Sequence, residues 1–238
     1  MIVLAIDTCD SRGSVALLQG AEVFEVVVHD ASEDYSSWLL PAVDEALAGS
    51  KIKMEQVGVY AVAAGPGSFT GVRVGLTAVK AWAEVYGKPI VAVSRLESLA
   101  REASEVHGWI ASFFNAQREQ VFGAIYRGDG KDLARVGDEM VIAPGKFVEA
   151  AAEVAKSAKI SWVSMDAECV ESQAAWRARE MLGERLESVS SVRAPMIGRL
   201  GLAALAEGRF TDALALDANY VRRSDAEIFW KGNAAHGR

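Results

Sequence analysis

The sequence of 238 residues has few side chains that ligate metals or act as strong nucleophiles. It contains two cysteines, Cys9 and Cys169, and three histidines, His29, His107 and His236. Two isolated thiols in a chain of this length do not make a disulfide framework. The histidines form neither a His-x-x-x-His nor a His-Glu-x-x-His pattern, which zinc enzymes use. The sequence therefore predicts no metal site.

Positive charge and long apolar runs are also scarce. Lys and Arg number 25 against 32 Asp and Glu, so the net charge is −7. Because phosphate contacts need clustered cations, a chain this acidic is expected to bind nucleic acid poorly on its own. No apolar run approaches the length of a membrane span, and residues 1–7 lack the basic start of a signal peptide. We expect a cytoplasmic protein with no membrane partner.

The sequence does have a regular alternation of strand and helix patterns. The order β-β-β-α-β-α occurs twice, which predicts an α/β protein with two similar lobes facing each other across a cleft. This is the layout of the actin, Hsp70 and sugar-kinase fold. We expect lobes at residues 1–106 and 107–238, with a helix at 194–208 that returns to the first lobe. In the second lobe, the pattern predicts a strand at 136–142 and a helix at 171–182.

The most distinctive run is Gly-Pro-Gly-Ser-Phe-Thr-Gly-Val-Arg-Val-Gly at residues 65–75. Gly65 and Gly67 allow a tight turn after a strand, and Ser68 or Thr70 can cap the helix that follows. Such a turn also exposes N–H donors at the positive end of a helix, which suits an anion. However, the run is neither a Walker loop nor a Rossmann fingerprint. Both the plain turn and an anion site remain open here.

An anion or nucleotide would also meet the end of the first strand. Asp7 and Thr8 follow that strand, where an acidic residue could position a metal or water in an active kinase of this fold. The candidate nucleotide residues are therefore Asp7, Thr8, Gly65, Gly67 and Ser68. The alternative is that Asp7 only caps the turn that follows the strand.

The helix after the turn carries two glycines on one face. Gly71 and Gly75 lie four residues apart, and each costs about 1 kcal/mol relative to alanine inside a helix. Their pairing indicates that another backbone comes close. That backbone could belong to the chain's own sheet or neighbouring helix, or to another subunit. The subunit hypothesis predicts an interface of six residues: Trp38, Gly71, Val72, Gly75, Leu76 and Val79.

These motifs together resemble the TsaB family, which has the older label YeaZ. Residues 65–75 are similar to its signature, and residues 5–8, Ala-Ile-Asp-Thr, to its opening strand. Weaker similarities are Leu-Leu-Pro at 39–41, Val-Ser at 93–94, and Tyr-Val-Arg-Arg-Ser-Asp-Ala-Glu at 220–227. The first half is well covered, whereas the second half matches in order and length.

The resemblance implies a role in making threonylcarbamoyladenosine in tRNA. It implies a non-catalytic scaffold subunit with no cofactor, acting on adenosine 37 of tRNAs that read codons beginning with A. The implied partners are a TsaD-like catalytic subunit and a TsaE-like ATPase, with a homodimer when the chain is alone. In that family the helices of the first lobe form the subunit contact, and tRNA is reached only through the complex.

One segment departs from the family pattern and keeps two other hypotheses in view. The second lobe of the family begins Asp-Ala-Arg-x-Gly-Glu-Val-Tyr, whereas residues 115–122 here read Asn-Ala-Gln-Arg-Glu-Gln-Val-Phe. The carboxylate that would face a metal or phosphate is replaced by Asn115, which weakens the case for nucleotide chemistry.

The alternative function is an ATP-binding phosphotransferase or ATPase of the same fold. A metalloprotease, a label that related families once carried, would require bound zinc.

Overall fold

The structure of the protein, a computed structural model, describes residues 1–103 and 106–221. The last part of the C-terminal similarity, residues 222–227, lies outside the described residues, as does His236. Each of the two halves of the described chain forms a mixed sheet with helical cover. The predicted α/β class with two lobes is therefore confirmed.

The first half begins with three consecutive strands and then alternates helices with strands. This is the predicted order, and it arises because short β-rich runs are separated by turn signals while the helical segments repeat apolar residues every three or four positions. The elements are β1 (Ile2–Asp7), β2 (Ser14–Gln19), β3 (Glu22–Val28), α1 (Tyr35–Gly49), β4 (Val57–Gly65), α2 (Phe69–Tyr86), β5 (Ile90–Ser94) and α3 (Arg95–Ala100).

The first sheet has five strands in the order β3-β2-β1-β4-β5. Strands β1, β2 and β3 are antiparallel, and β1, β4 and β5 run parallel to each other. Strand β1 is central, and Leu4 pairs with Leu17 on one side and with Tyr60 on the other. Because parallel strands end at the same edge, the ends of β1 and β4 bring two turns together there.

The second half forms a sheet in the order β11-β10-β6-β7-β8, with β9 also paired to β7. Strands β6 and β10 are parallel, so their carboxyl ends also meet at one edge. The elements are β6 (His107–Asn115), β7 (Val121–Asp129), β8 (Leu133–Arg135), β9 (Met140–Ile142), α4 (Pro144–Ala155), β10 (Ile160–Ser164), α5 (Glu168–Glu171), α6 (Ala174–Met181), β11 (Leu186–Ser188) and α7 (Ala194–Ala206).

Two sequence predictions in the second half are wrong in detail. Of the strand predicted at 136–142, only β9 (Met140–Ile142) is a strand, and Gly137, with a left-handed φ of 77°, lies between β8 and β9. The helix predicted at 171–182 begins later, as α6 (Ala174–Met181), since Gln173 takes an extended conformation after the short helix α5 (Glu168–Glu171). The short strand β11 was not predicted.

Two helices pack against the sheet of the other half of the chain. Helix α3 follows the first sheet in sequence, yet Leu96 and Leu99 pack in a core with Phe114 and Phe122 of the second sheet. Helix α7 follows the second sheet, yet Ile197 lies in the core of the first. The lobes therefore exchange helices, and the packing units differ from a simple division at residue 106.

Helices α2 and α7 cover opposite faces of the first sheet. Gly75 of α2 lies next to Ile6 of β1, whereas Gly198 of α7 lies next to Ala5. Consecutive residues of a strand point to opposite faces, so the two helices cannot share one. Gly201 continues the α7 contact onto the sheet. The central strands β1 and β4 are thus buried on both sides.

The predicted subunit contact needs correction, because its residues face the chain's own core. A Cβ on Gly71 would overlap the carbonyl oxygen of Thr8, and one on Gly75 would lie 2.6 Å from the Thr8 hydroxyl. Gly71 therefore admits the Thr8 backbone directly after β1, and Gly75 admits the Thr8 side chain. All six predicted interface residues are buried within this chain: Trp38, Gly71, Val72, Gly75, Leu76 and Val79.

This packing predicts that Gly71→Ala destabilises the fold. The added methyl group would press on the Thr8 backbone, and overpacking of this kind costs about 1–3 kcal/mol in the free energy of unfolding. Gly49→Ala in α1 is the matched control, because its Cβ would meet only the flexible carboxylate of Glu25. Urea unfolding of both variants measures the difference. Equal stability of Gly71→Ala and the wild type would contradict the assigned contact.

Candidate functional site at the cleft between the lobes

Two turns interlock at the carboxyl edge of the first sheet. The turn after β1 contains Thr8 and Cys9, and the turn between β4 and α2 contains Ser68. The Thr8 hydroxyl donates to the carbonyl of Gly71 at 2.7 Å, and the Ser68 N–H donates to the carbonyl of Cys9 at 2.6 Å. The Ser68 N–H, which is one of the donors that an anion would use, is therefore occupied by a hydrogen bond within the chain.

The helix cap predicted at this turn is confirmed. Ser68 is the N-cap of α2, and its hydroxyl accepts from the Gly71 N–H at 3.4 Å. Gly65 has a φ of 116°, and its α-carbon faces the backbone of Asn219. Of the five candidate nucleotide residues, Gly67 and Ser68 line the cleft.

Asp7 does not face the cleft but is buried in an ion pair that the sequence did not reveal. One carboxylate oxygen accepts from Arg95 Nε at 2.9 Å, and the other accepts from the Cys9 N–H at 2.8 Å. Both Asp7 and Arg95 have no exposed side-chain surface. Asp7 thus caps the turn that follows the strand, which was the alternative to a role in nucleotide binding. It also pairs with the buried Arg95 guanidinium.

The ion pair continues as a chain of charges that joins the two lobes. Arg95 Nη1 donates to Asp10 at 2.6 Å, and Asp10 also pairs with Arg12 at 2.8 Å. Arg12 then reaches Asp166, after β10, at 2.5 Å. Burial by itself raises the pKa of the Asp10 carboxyl, but the guanidinium groups of Arg95 and Arg12 outweigh it and hold that pKa well below its usual range.

Asp166 is the acidic residue of the second lobe that sequence reasoning missed. It lies beside Asn115, whose N–H donates to Asp166 Oδ2 at 2.8 Å, and its own N–H donates to the Ser164 hydroxyl at 2.9 Å. Hence the carboxylate near Asn115 belongs to Asp166, which follows the neighbouring strand β10. The parallel pairing of β6 and β10 could have indicated this position, since both strands end at the same edge.

Between these elements lies a cleft of about 530 Å³. Its apolar wall consists of aromatic side chains, Phe69, Phe114, Phe122 and Tyr220. Its polar lining includes Arg12, Asp166, Asn115 and Gln117. The volume is within the range of small-ligand sites, and its carboxylates are already paired with arginines.

Across residues 1–103 and 106–221, no three His, Cys, Asp or Glu side chains converge in a way that could hold a metal ion. Within the same ranges, no helix has the length and apolar character needed to cross a bilayer.

Comparison with known proteins finds one matching family model and several similar proteins. Residues 25–229 match the family model for TsaD, tRNA N6-adenosine threonylcarbamoyltransferase. The chain is similar to the tRNA threonylcarbamoyladenosine biosynthesis protein TsaB of Bacillus subtilis (strain 168), with 36% identity over 127 residues, or 53% of this chain and 56% of that protein. TsaB of Haemophilus influenzae (strain ATCC 51907 / DSM 11121 / KW20 / Rd) is 37% identical over 107 residues, or 45% of each. The chain thus spans about half the length of the curated relatives it matches.

A solved structure extends the similarity to nearly the whole fold. An uncharacterized protein with similarity to peptidase YEAZ, from Pseudomonas aeruginosa, superposes with a TM-score of 0.73 at 25% sequence identity. The match covers 93% of this chain and 99% of that one. The arrangement of the two lobes is therefore shared with that protein.

The buried ion pair predicts a large loss of stability for Asp7→Asn. Removing the Asp7 charge leaves the buried Arg95 guanidinium with Asp10 as its remaining carboxylate partner, and breaking a buried pair costs about 3–5 kcal/mol. Glu149→Gln is the control, because its solvent-exposed pair with Lys146 should contribute little to stability. Urea unfolding would contradict the assignment if the two variants lost the same small amount.

The depressed pKa of Asp10 predicts acid sensitivity. Because the folded state holds this pKa below the unfolded value of about 4, the stabilisation is fully present above that value and is lost as the pH falls through the lower folded pKa. Asp10→Asn should therefore reduce the slope of unfolding free energy against pH below about pH 4. Thermal unfolding at several pH values measures this, and an unchanged slope would contradict the prediction.

Proposed function

Because the chain belongs to the family that the TsaD model describes and, within it, to the TsaB (YeaZ) proteins, we propose that it serves the synthesis of threonylcarbamoyladenosine in tRNA as a non-catalytic scaffold. In this role it binds a TsaD-like subunit that transfers the threonylcarbamoyl group to adenosine 37 of tRNAs reading codons that begin with A. A TsaE-like ATPase completes the complex. The tRNA is engaged in the assembly rather than by this acidic chain alone.

The observation that carries the scaffold role is the engagement of Asp7. In a phosphotransferase or ATPase of this fold, an acidic residue at the end of the first strand would position a metal or water. Here both oxygens of Asp7 accept hydrogen bonds from Arg95 and the Cys9 N–H, and the side chain is fully buried. A carboxylate held in this way stabilises the fold and does not reach the cleft.

The proposed contact with the TsaD-like subunit uses the outer surface of α2, since the glycine face is covered by β1. Val74, Ala78, Ala81 and Val85 recur at helical spacing along this surface, which we call the outer stripe. Val74 and Ala78 are half-buried, Ala81 is exposed, and Val85 is 74% exposed. Small and branched apolar residues in a row allow a second helix to approach closely.

The TsaD-like subunit is the occupant that suits this stripe. This chain matches the TsaD family model over residues 25–229, so such a partner has the same lobe architecture and presents equivalent helices. Two similar helix pairs can then pack about an approximate two-fold axis. When the partner is absent, the same stripe can pair with that of a second copy, which gives the homodimer.

Ala81→Arg should disrupt this complex. The new side chain places a charge and extra volume in the middle of the outer stripe, and central interface residues cost about 2 kcal/mol or more, which is about a thirtyfold loss of affinity. Calorimetric titration with the purified TsaD-like subunit measures the effect. Met181→Arg is the matched control, because Met181 is 88% exposed on α6 of the other half.

Two results would overturn the proposal. One is wild-type affinity of Ala81→Arg for the TsaD-like subunit, together with failure of the wild-type chain to restore the modification in cells depleted of TsaB. The other is micromolar binding and turnover of Mg-ATP by the chain alone, with turnover lost in Asp7→Asn at a temperature where that variant remains folded.

A further inference from the structure

Two motifs that are far apart in the sequence meet at the mouth of the cleft. Phe69 and Arg73, from the run at 65–75, contact Tyr220 near the end of the described chain. The rings of Phe69 and Tyr220 stack with centroids 4.9 Å apart and an interplanar angle of 30°. The Arg73 guanidinium lies 3.7 Å above the Phe69 ring, and its Nε donates to the Tyr220 hydroxyl at 3.0 Å. We call these three residues the aromatic patch.

Two hydrogen bonds of the preceding residue, Asn219, hold Tyr220 in place. The Asn219 N–H donates to the carbonyl of Ala64 at 2.8 Å, which continues the edge of the first sheet. The Asn219 side chain donates to Glu139 Oε2 at 2.6 Å, which ties the same segment to the second lobe. The Tyr220 ring is therefore pre-positioned between the lobes, and its orientation costs little entropy when a ligand binds.

The aromatic patch leaves ring surface open toward the cleft. Phe69 covers part of the Tyr220 ring, yet Tyr220 remains 42% exposed and lines the cleft. Deeper in the cleft the wall continues with the rings of Phe114 and Phe122. A flat ring entering the cleft would thus meet aromatic surface at its mouth and along its wall.

The polar groups of the cleft suit a neutral ring better than a polyphosphate. Arg12 and Arg95 already neutralise Asp7, Asp10 and Asp166, so these two cations are engaged within the chain. The side chains of Asn115 and Gln117 line the cleft and provide both donors and acceptors. Amide groups of this kind hydrogen-bond the edge of a nucleobase.

From this geometry we propose that the cleft takes an unpaired nucleobase from an RNA loop, stacked on Tyr220 of the aromatic patch. Single-stranded bases are recognised by stacking on aromatic rings and arginine planes, with amides reading their edges. The choice of RNA as the source of the base rests on the proposed function in tRNA modification. The contact gives the scaffold a direct part in orienting the RNA while the partner supplies most of the positive charge.

The test is a double-mutant cycle between protein and RNA. The probe is a fluorescent stem-loop RNA with one unpaired adenosine in its loop, and its pair is the same RNA with an abasic site there. Anisotropy is measured with the full chain in complex with its TsaD-like partner. Tyr220→Ala and the abasic site should each weaken binding by about tenfold, or about 1.4 kcal/mol, which is a typical value for one stacked base. The two changes together should weaken binding by little more than either alone.

Two protein variants serve as controls. Phe210→Ala removes an aromatic ring that is 59% exposed and does not line the cleft, so it should leave RNA affinity unchanged. Tyr220→Phe keeps the stacking ring and loses only the hydrogen bond from Arg73, so it should retain most of the affinity. Thermal unfolding of Tyr220→Ala and Phe210→Ala confirms that both remain folded.

The outcomes separate this inference from the proposed function. If the two changes are additive, to about a hundredfold, Tyr220 does not touch the base and the inference is wrong. It is also wrong if free ATP or adenosine binds the cleft more tightly than the loop RNA does. Formation of threonylcarbamoyladenosine in a reconstituted reaction is measured separately. A working reaction with an additive cycle would overturn the stacking contact alone, whereas a failed reaction with the wild-type chain would overturn the proposed function.

Discussion

The buried guanidinium of Arg95 is the interaction on which the arrangement of the two lobes depends. It pairs with Asp7 at the end of β1 and with Asp10 in the following turn, and Asp10 shares Arg12 with Asp166 of the second lobe. Isolated charges are costly to bury, so each member requires the others to stay in place. The network therefore fixes the start of α3, the turn after β1 and the edge of β10 relative to each other.

Close packing of two helices on the first sheet also holds the fold together. Gly71 and Gly75 allow α2 to lie against the Thr8 segment, and Gly198 and Gly201 allow α7 to lie against the opposite face of the same sheet. Thr8 also donates to the Gly71 carbonyl, which joins the two turns at the cleft. The glycines are consequently structural within one chain, while Ala81 and Val85 of the outer stripe are exposed.

The same features distinguish the two-lobed architecture from the chemistry that this architecture can support. The chain keeps the two-lobed architecture and the cleft, yet the carboxylate at the end of β1 is bonded to Arg95 and turned away from the cleft. What lines the cleft is an aromatic wall with amide groups and paired charges. The proposed scaffold role requires shape and surface of this kind, and it requires no reactive group in this chain.

The element order, the α/β class, the capped turn at 65–68 and the family resemblance could all be predicted from sequence. They depend on short-range patterns, which a single stretch of chain carries by itself: strand alternation, helical repeats, a capping serine and glycine positions. The absence of strand structure at 136–139 and the burial of the six interface candidates could not be predicted in this way. The Arg95–Asp7 pair joins residues 88 positions apart and the Arg12–Asp166 pair residues 154 apart. Sequence determined that Gly71 and Gly75 admit a close backbone, and only the tertiary structure decided whose backbone it is, because the choice depends on which distant segments fold against that face.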